Sequence, residues 1–138
     1  RAYQSRRCIV PASGFYEWKR DGSRKQPYYI QSASKGLLAL AGLWESWNGP
    51  DGVVYSFTII TTKPNELMKT IHDRMPVIIA PDYFEQWLNC RDYSGKDVSH
   101  LLRPVAADTL EAFPVSSLVN SPSNDSWKCA QPLDLNSH

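Results

Sequence analysis

No stretch of this sequence is long and apolar enough to cross a bilayer. The longest nearly apolar run, Leu37 to Trp44, is about eight residues, against the ~20 a spanning helix needs. The chain opens Arg1-Ala2-Tyr3-Gln4, which is not the charged-then-apolar pattern of a signal segment. The expectation is a cytoplasmic, nucleoid-associated setting with no membrane partner. Cysteine is scarce: Cys8, Cys90 and Cys129 are widely and irregularly spaced. There is no CxxC, and His72, His100 and His138 complete no ligand cluster. No metal or other cofactor is therefore expected, and the thiols should be reduced. A large excess of charge of one sign is also missing, since the formal net charge is +1. That excludes a globally basic nucleic-acid binder.

What is present fits one domain with a real core: 138 residues, 42% hydrophobic and 21% charged. No internal repeat or domain boundary stands out. Charge is nevertheless unevenly spread. Residues 1–25 carry Arg1, Arg6, Arg7, Lys19, Arg20, Arg24 and Lys25 against Glu17 and Asp21, whereas residues 82–111 run acidic. Such asymmetry marks either a phosphate-facing side or a hairpin whose lysines keep an edge strand soluble.

The pattern of elements predicts an α+β fold, a mainly antiparallel β-sheet or open barrel with a few short peripheral helices. Cys8-Ile9-Val10 reads as a strand stopped by Pro11. Phe15 to Lys19 follows, then an Asp21-Gly22 turn into Pro27-Tyr28-Tyr29-Ile30. Leu37–Trp44 and Val53–Thr62 form two more strands around the turn at Asn48 to Gly52. Pro64 suits a helix start, with Leu67, Met68 and Ile71 at helical spacing and an end near His72. Val77-Ile78-Ile79 reads as a buried strand. Pro81-Asp82 opens a helix with Tyr83, Phe84, Trp87 and Leu88 on its apolar face, and Val98 to Leu102 suggests another. Phe113 to Val119 looks extended, and a Ser-, Asn- and Pro-rich tail begins at Ser121.

Several side chains could carry chemistry. Glu17 interrupts an aromatic strand between Tyr16 and Trp18, sharing a face with Phe15. A carboxyl against apolar rings is raised toward neutrality and suits proton transfer; the alternative is an exposed glutamate on a half-solvated strand. His72 is the natural acid–base group at neutral pH, or a histidine packed at a helix C-terminus. Arg74 could hold a phosphate or pair with Asp73. Thr61 and Thr62 end a strand just before a helix, where hydroxyls either meet ligands or cap the helix. Trp18, Trp44, Trp47, Tyr16, Tyr28 and Tyr29 could stack bases or fill the core.

Five blocks, taken in order, resemble the SOS-response-associated peptidase (SRAP) family from the first residues to about Leu133. They are Arg7-Cys8-Ile9-Val10-Pro11-Ala12-x-Gly14-Phe15-Tyr16-Glu17-Trp18, Leu40-Ala41-Gly42-Leu43-Trp44, Thr58-Ile59-Ile60-Thr61-Thr62, Ile71-His72-Asp73-Arg74-Met75-Pro76-Val77 and Val115-Ser116-Ser117-Leu118-Val119-Asn120. The resemblance implies a sensor of abasic sites in single-stranded DNA. Members expose an N-terminal Cys after loss of the initiator Met. Its α-amine attacks the aldehyde of the open abasic sugar and its thiol closes a thiazolidine, a stable DNA–protein crosslink. By the same resemblance Glu17 and His72 are catalytic, and Thr61 and Arg74 face the DNA.

The departure from the family pattern lies at the start. The chain begins at Arg1, so the family's N-terminal third, with the nucleophilic cysteine, is expected to be missing and the 138 residues inactive alone. Cys8, Cys90 and Cys129 have no free α-amine, and Cys8 is expected to pack in its strand. The missing segment, or a second copy of the chain, is an expected partner beside single-stranded DNA containing abasic sites. Two other functions remain open: a non-covalent single-stranded DNA module using Arg74 and the basic N-terminal region, and a cysteine peptidase-like hydrolase. The second has little support, because the only proteolysis the family chemistry needs is removal of one Met.

Overall fold

Two-residue turns between strands force antiparallel pairing, and every strand pair found is antiparallel. The computed structural model describes residues 1–120; the tail from Ser121, including Cys129, lies outside the described residues. The strands are β1 (Arg7–Ala12), β2 (Gly14–Asp21), β3 (Arg24–Ser32), β4 (Leu38–Gly49), β5 (Gly52–Ile59), β6 (Thr61–Thr62), β7 (Met75–Pro76) and β8 (Leu110–Pro114). The helices are α1 (Ala2–Ser5), α2 (Phe84–Leu88) and α3 (Gly95–Val98). The sheets, β1-β4-β5, β2-β3-β8 and β6-β7, are open and close no barrel. The class is α+β, as the sequence predicts. Contacts group the chain into two units, each built from three stretches.

The first unit comprises Arg1–Ala12, Leu38–Lys63 and Met75–Val105. Its core is Ala41, Val77, Ile79, Trp87 and Val98, with Tyr3, Ile9 and Phe84 packed against it. Pro11 does not stop β1 but pairs opposite Ala39. β1 is an edge strand, and an edge tolerates a residue without an N–H. β4 runs past Trp44 to Gly49, while β5 is exposed along nearly its whole length. The expected strand at Val77-Ile78-Ile79 is extended but forms no ladder. The Val77 N–H donates to Ile60 and the Ile79 N–H to Ala39, so its bonds go to different partners. The predicted helix after Pro81 begins as a 3-10 turn, Pro81–Tyr83, and continues as α2. Trp87 is fully buried, but Tyr83 and Leu88 of the expected apolar face are exposed. α3 starts at Gly95, earlier than expected, because Ser94 and Asp97 form a reciprocal capping box.

Arg7, counted in the sequence among the basic residues, is buried in this unit. Its guanidinium donates to the carbonyls of Trp87 (2.7 Å), Tyr3 (2.8 Å) and Tyr93 (2.6 Å) and lies over the Tyr3 and Trp87 rings. Arg6 donates to the Trp44 carbonyl and pairs with Glu45. Both cations are committed to structure.

The second unit comprises Ser13–Leu37, Pro64–Arg74 and the described residues from Ala106. β2 and β3 meet in register from Gly14↔Gln31 to Asp21↔Arg24. Gly22 takes φ 63 at the first position of their two-residue loop, as a type II′ turn requires. Pro27, Ile30 and Val115 are fully buried, and Tyr29 packs between Tyr16 and Phe113 at centroid distances of 5.1 and 5.9 Å. The predicted helix from Pro64 to His72 is replaced by a single 3-10 turn, Met68–Thr70. Asn65 caps this segment, its side-chain oxygen accepting the Met68 N–H at 2.9 Å, and the turn then tightens as the Thr70 and Ile71 amides bond back three residues to Leu67 and Met68. β8 ends at Pro114, and the segment expected to stay extended turns into a 3-10 helix at Ser117–Asn120.

Candidate functional site

Glu17 lies mid-strand in β2, opposite Tyr28. Pairing on one side only leaves β2 an edge of its sheet, so its side chains can meet the segment that follows Pro64. That segment ends its 3-10 turn at Thr70 and then presents Ile71, His72 and Asp73. The His72 N–H is tied back to the Met68 carbonyl at 2.8 Å, and the buried Met68 and Ile71 anchor the turn.

The result is a cavity of about 500 Å3 lined by Glu17, Trp18, Arg20, Lys25, His72 and Asp73, with Ile71 as its apolar floor. His72 Nε2 stands 3.6 Å from Glu17 Oε2. That is ion-pair range, slightly beyond a formed hydrogen bond. On the other side of the ring, Nδ1 lies 3.2 Å from both the N–H and the carbonyl of Arg74. When Nδ1 accepts that N–H, the neutral imidazole must carry its proton on Nε2, aimed at Glu17. When the ring is protonated, Nδ1–H can turn to the carbonyl or to Asp73 Oδ1 at 3.4 Å. In either state the Arg74 backbone offers the ring a partner at Nδ1, an N–H to the neutral form and a carbonyl to the protonated one.

Burial pushes the Glu17 carboxyl above the ordinary carboxylate range. The His72 ring and the Trp18 backbone N–H pull it down, and Asp73 pushes it further up. Desolvation is the largest of these. A carboxyl raised this way beside an imidazole is placed to give up a proton or to take one back. Such a pair serves as general acid and general base at one reacting centre. Among the described residues no cluster of His, Cys, Asp and Glu is arranged to hold a metal ion.

The family model described as SOS response associated peptidase (SRAP) matches residues 1–122. The chain belongs to the SRAP family. It is 52% identical to the abasic site processing protein YoaM of Bacillus subtilis, over 97% of this chain and 59% of that protein. It is 37% identical to the abasic site processing protein HMCES of Xenopus tropicalis, over 96% of this chain and 45% of that one. A crystal structure of a protein from Bacteroides thetaiotaomicron superposes with a TM-score of 0.85 at 30% identity, covering 96% of this chain and 59% of the other. The chain therefore spans about half the length of the curated relatives it matches.

Of the four residues expected at the SRAP site, Glu17 and His72 meet across one cavity. Arg74 adjoins them through its backbone, and its side chain is exposed. Thr61 belongs to the first unit, where it opens β6 opposite Pro76. Trp18 lines the cavity with its indole N–H held by Asn120 Oδ1 at 2.6 Å. In the sequence Arg20 and Lys25 stood only within the basic stretch of residues 1–25 and Asn120 only within a family block, with no place in the site assigned to any of them. The two-residue turn at Gly22 carried the signal for the first two, because it sets Arg20 directly opposite Lys25.

Proposed function

We propose that this SRAP chain supplies the acid–base half of an abasic-site processing protein acting on single-stranded DNA. The observation that carries the proposal is the Glu17–His72 pair, 3.6 Å apart on the wall of a cavity, with the carboxyl pushed up by burial. The names of relatives at 52% and 37% identity support the substrate.

The chemistry follows from what the pair can do. The α-amine of an N-terminal cysteine, proposed to come from a segment other than these 138 residues, adds to the aldehyde carbon of the open sugar and gives a carbinolamine. Losing water from it requires a proton on the departing hydroxyl, and Glu17 in its protonated form donates it, then takes back the N–H proton of the resulting iminium to leave the neutral imine. The thiol then adds to the imine carbon as its proton passes to a base, for which His72 is placed. The imine nitrogen takes up a proton as the ring closes. One amine, one thiol and one aldehyde thus give one thiazolidine and one water, and Glu17 and His72 recover their starting protonation. Arg74 contributes its backbone to hold the imidazole, and its exposed guanidinium is suited to a nearby phosphate. Thr61 remains a proposed DNA contact.

A cysteine peptidase-like reading has less support. Burial pushes the Cys8 thiol up, the opposite of what an activated nucleophile needs. A non-covalent single-stranded DNA module must do without Arg6 and Arg7, which are already occupied.

The test places these residues behind an N-terminal Met-Cys segment and incubates the protein with a single strand, intact or carrying one abasic site. A band stable to denaturation should form on the abasic strand alone and build up much more slowly with Glu17→Gln. Equal labelling of the intact strand would remove the abasic-site reading.

A further inference from the structure

Arg20 and Lys25 are cross-strand partners in the β2–β3 hairpin, so their side chains leave the same face and like charges stand opposed. Such a pairing costs stability. Both line the Glu17–His72 cavity. A second cavity of about 490 Å3 shares Arg20, Ile71, His72 and Asp73 with the first and adds Lys19 and Lys69. Lys69 is paired with Glu66; among the described residues Lys19, Arg20 and Lys25 have no ion pair. The carboxylates on these walls are Glu17, which burial biases toward its neutral form, and the exposed Asp73. Three cations without an ion pair among the described residues, two of them held against each other by strand register, make a place where an anion relieves repulsion.

We propose that Arg20 and Lys25 clasp one backbone phosphate of single-stranded DNA beside the Glu17–His72 pair, with Lys19 meeting the next phosphate along the strand. The inference rests on the abasic-site reading for its ligand and deepens it by assigning the phosphate contacts that seat the strand. Arginine matches a phosphate with two donors and lysine adds a point charge. The pairing therefore fits an oxyanion better than a base edge. The plainer role for these side chains, protecting an edge strand from pairing, would leave DNA binding indifferent to them.

The experiment measures fluorescence anisotropy of a labelled oligothymidylate with the 138-residue chain over a range of salt. Native, Arg20→Gln/Lys25→Gln and Arg24→Gln proteins are compared, the last removing a hairpin cation outside the cavity lining. Loss of the one phosphate contact that the two side chains share should make log K against log salt shallower by about 0.7 and weaken binding by about fivefold at 0.1 M salt. Arg24→Gln should move the slope by less than half as much. The double variant should melt no lower than the native chain, since it removes a repulsion. An unchanged slope in the double variant, an equal change from Arg24→Gln, or no salt-dependent binding by the native chain overturns the clasp. The underlying reading fails separately: it falls if Glu17→Gln leaves adduct formation on an abasic strand unchanged in the protein carrying the N-terminal cysteine, whatever the salt slopes are.

Discussion

Glu17 holds its proton more tightly when folded than a free carboxyl does, because burial disfavours the charge. The stability this contributes is fully present below the ordinary carboxylate range and is lost as pH rises through the raised value. Glu17→Gln removes the titration. The stability of the variant relative to the native chain should therefore grow as pH rises above the ordinary glutamate range of about 4, as measured by urea unfolding at each pH. A difference that stays constant over that rise would place Glu17 in solvent. Arg7 shows the opposite use of a charged side chain. Its three carbonyl bonds hold Tyr3, Trp87 and Tyr93 around one guanidinium. Arg7→Ala should cost roughly 3–5 kcal/mol in urea unfolding, since buried acceptors lose their partner. A cost under about 1 kcal/mol would mean water replaces the guanidinium without penalty. The sequence could not separate Arg7 from Arg20. Both are arginines in one basic stretch, and only the packing of Trp87 and Tyr93, some eighty residues away, assigns one to the core.

Turns were the most legible elements. Asp21-Gly22 announced the hairpin that carries Glu17, and Asn48 to Gly52 announced the β4–β5 hairpin, although β4 runs on to Gly49 and the strand expected over Val53–Thr62 divides into β5 and β6. Gly22→Ala should cost about 1 kcal/mol, the penalty for a side chain at φ 63. Gly14→Ala should cost considerably more, because its new Cβ would meet the Tyr29 ring and the Ile30 carbonyl. Equal costs in thermal melts would contradict this packing. Helices were the least legible. Met68 and Ile71 have the spacing of a helix, but that spacing also fits one 3-10 turn, in which the Thr70 and Ile71 amides bond back three residues to Leu67 and Met68. Val77-Ile78-Ile79 reads as a strand because it is apolar and extended, yet its amides reach two different partners. In β5, Tyr55 and Phe57 are exposed, so Phe57→Thr should change stability by no more than about 0.5 kcal/mol, whereas Ile30→Ala in the buried β3 should cost roughly 2–5 kcal/mol.

At the scale of the molecule, the site belongs to one contact unit although its residues come from two distant stretches. The hairpin that carries Glu17 and the turn that carries His72 both pack in the second unit. The family blocks made the candidate residues legible without a fold, because Glu17 and His72 stand inside matched motifs. Their convergence needed the register of β2 and the early end of the Pro64 segment, neither of which a motif contains. The position of Thr61 in the first unit was equally invisible.

The account rests on Glu17 and His72 acting together on one carbon atom. The most direct measurement is the single-turnover rate of adduct formation on an abasic single strand, using protein that carries the N-terminal cysteine. Native, Glu17→Gln, His72→Ala and the double variant are compared, with strand affinity measured in parallel. Each single change should slow the reaction by about 10²–10⁴-fold while affinity moves by no more than about threefold, and the double variant should be slowed by much less than the product of the two. Native rates in either single variant, or losses that track weakened binding, would contradict the acid–base role of the pair.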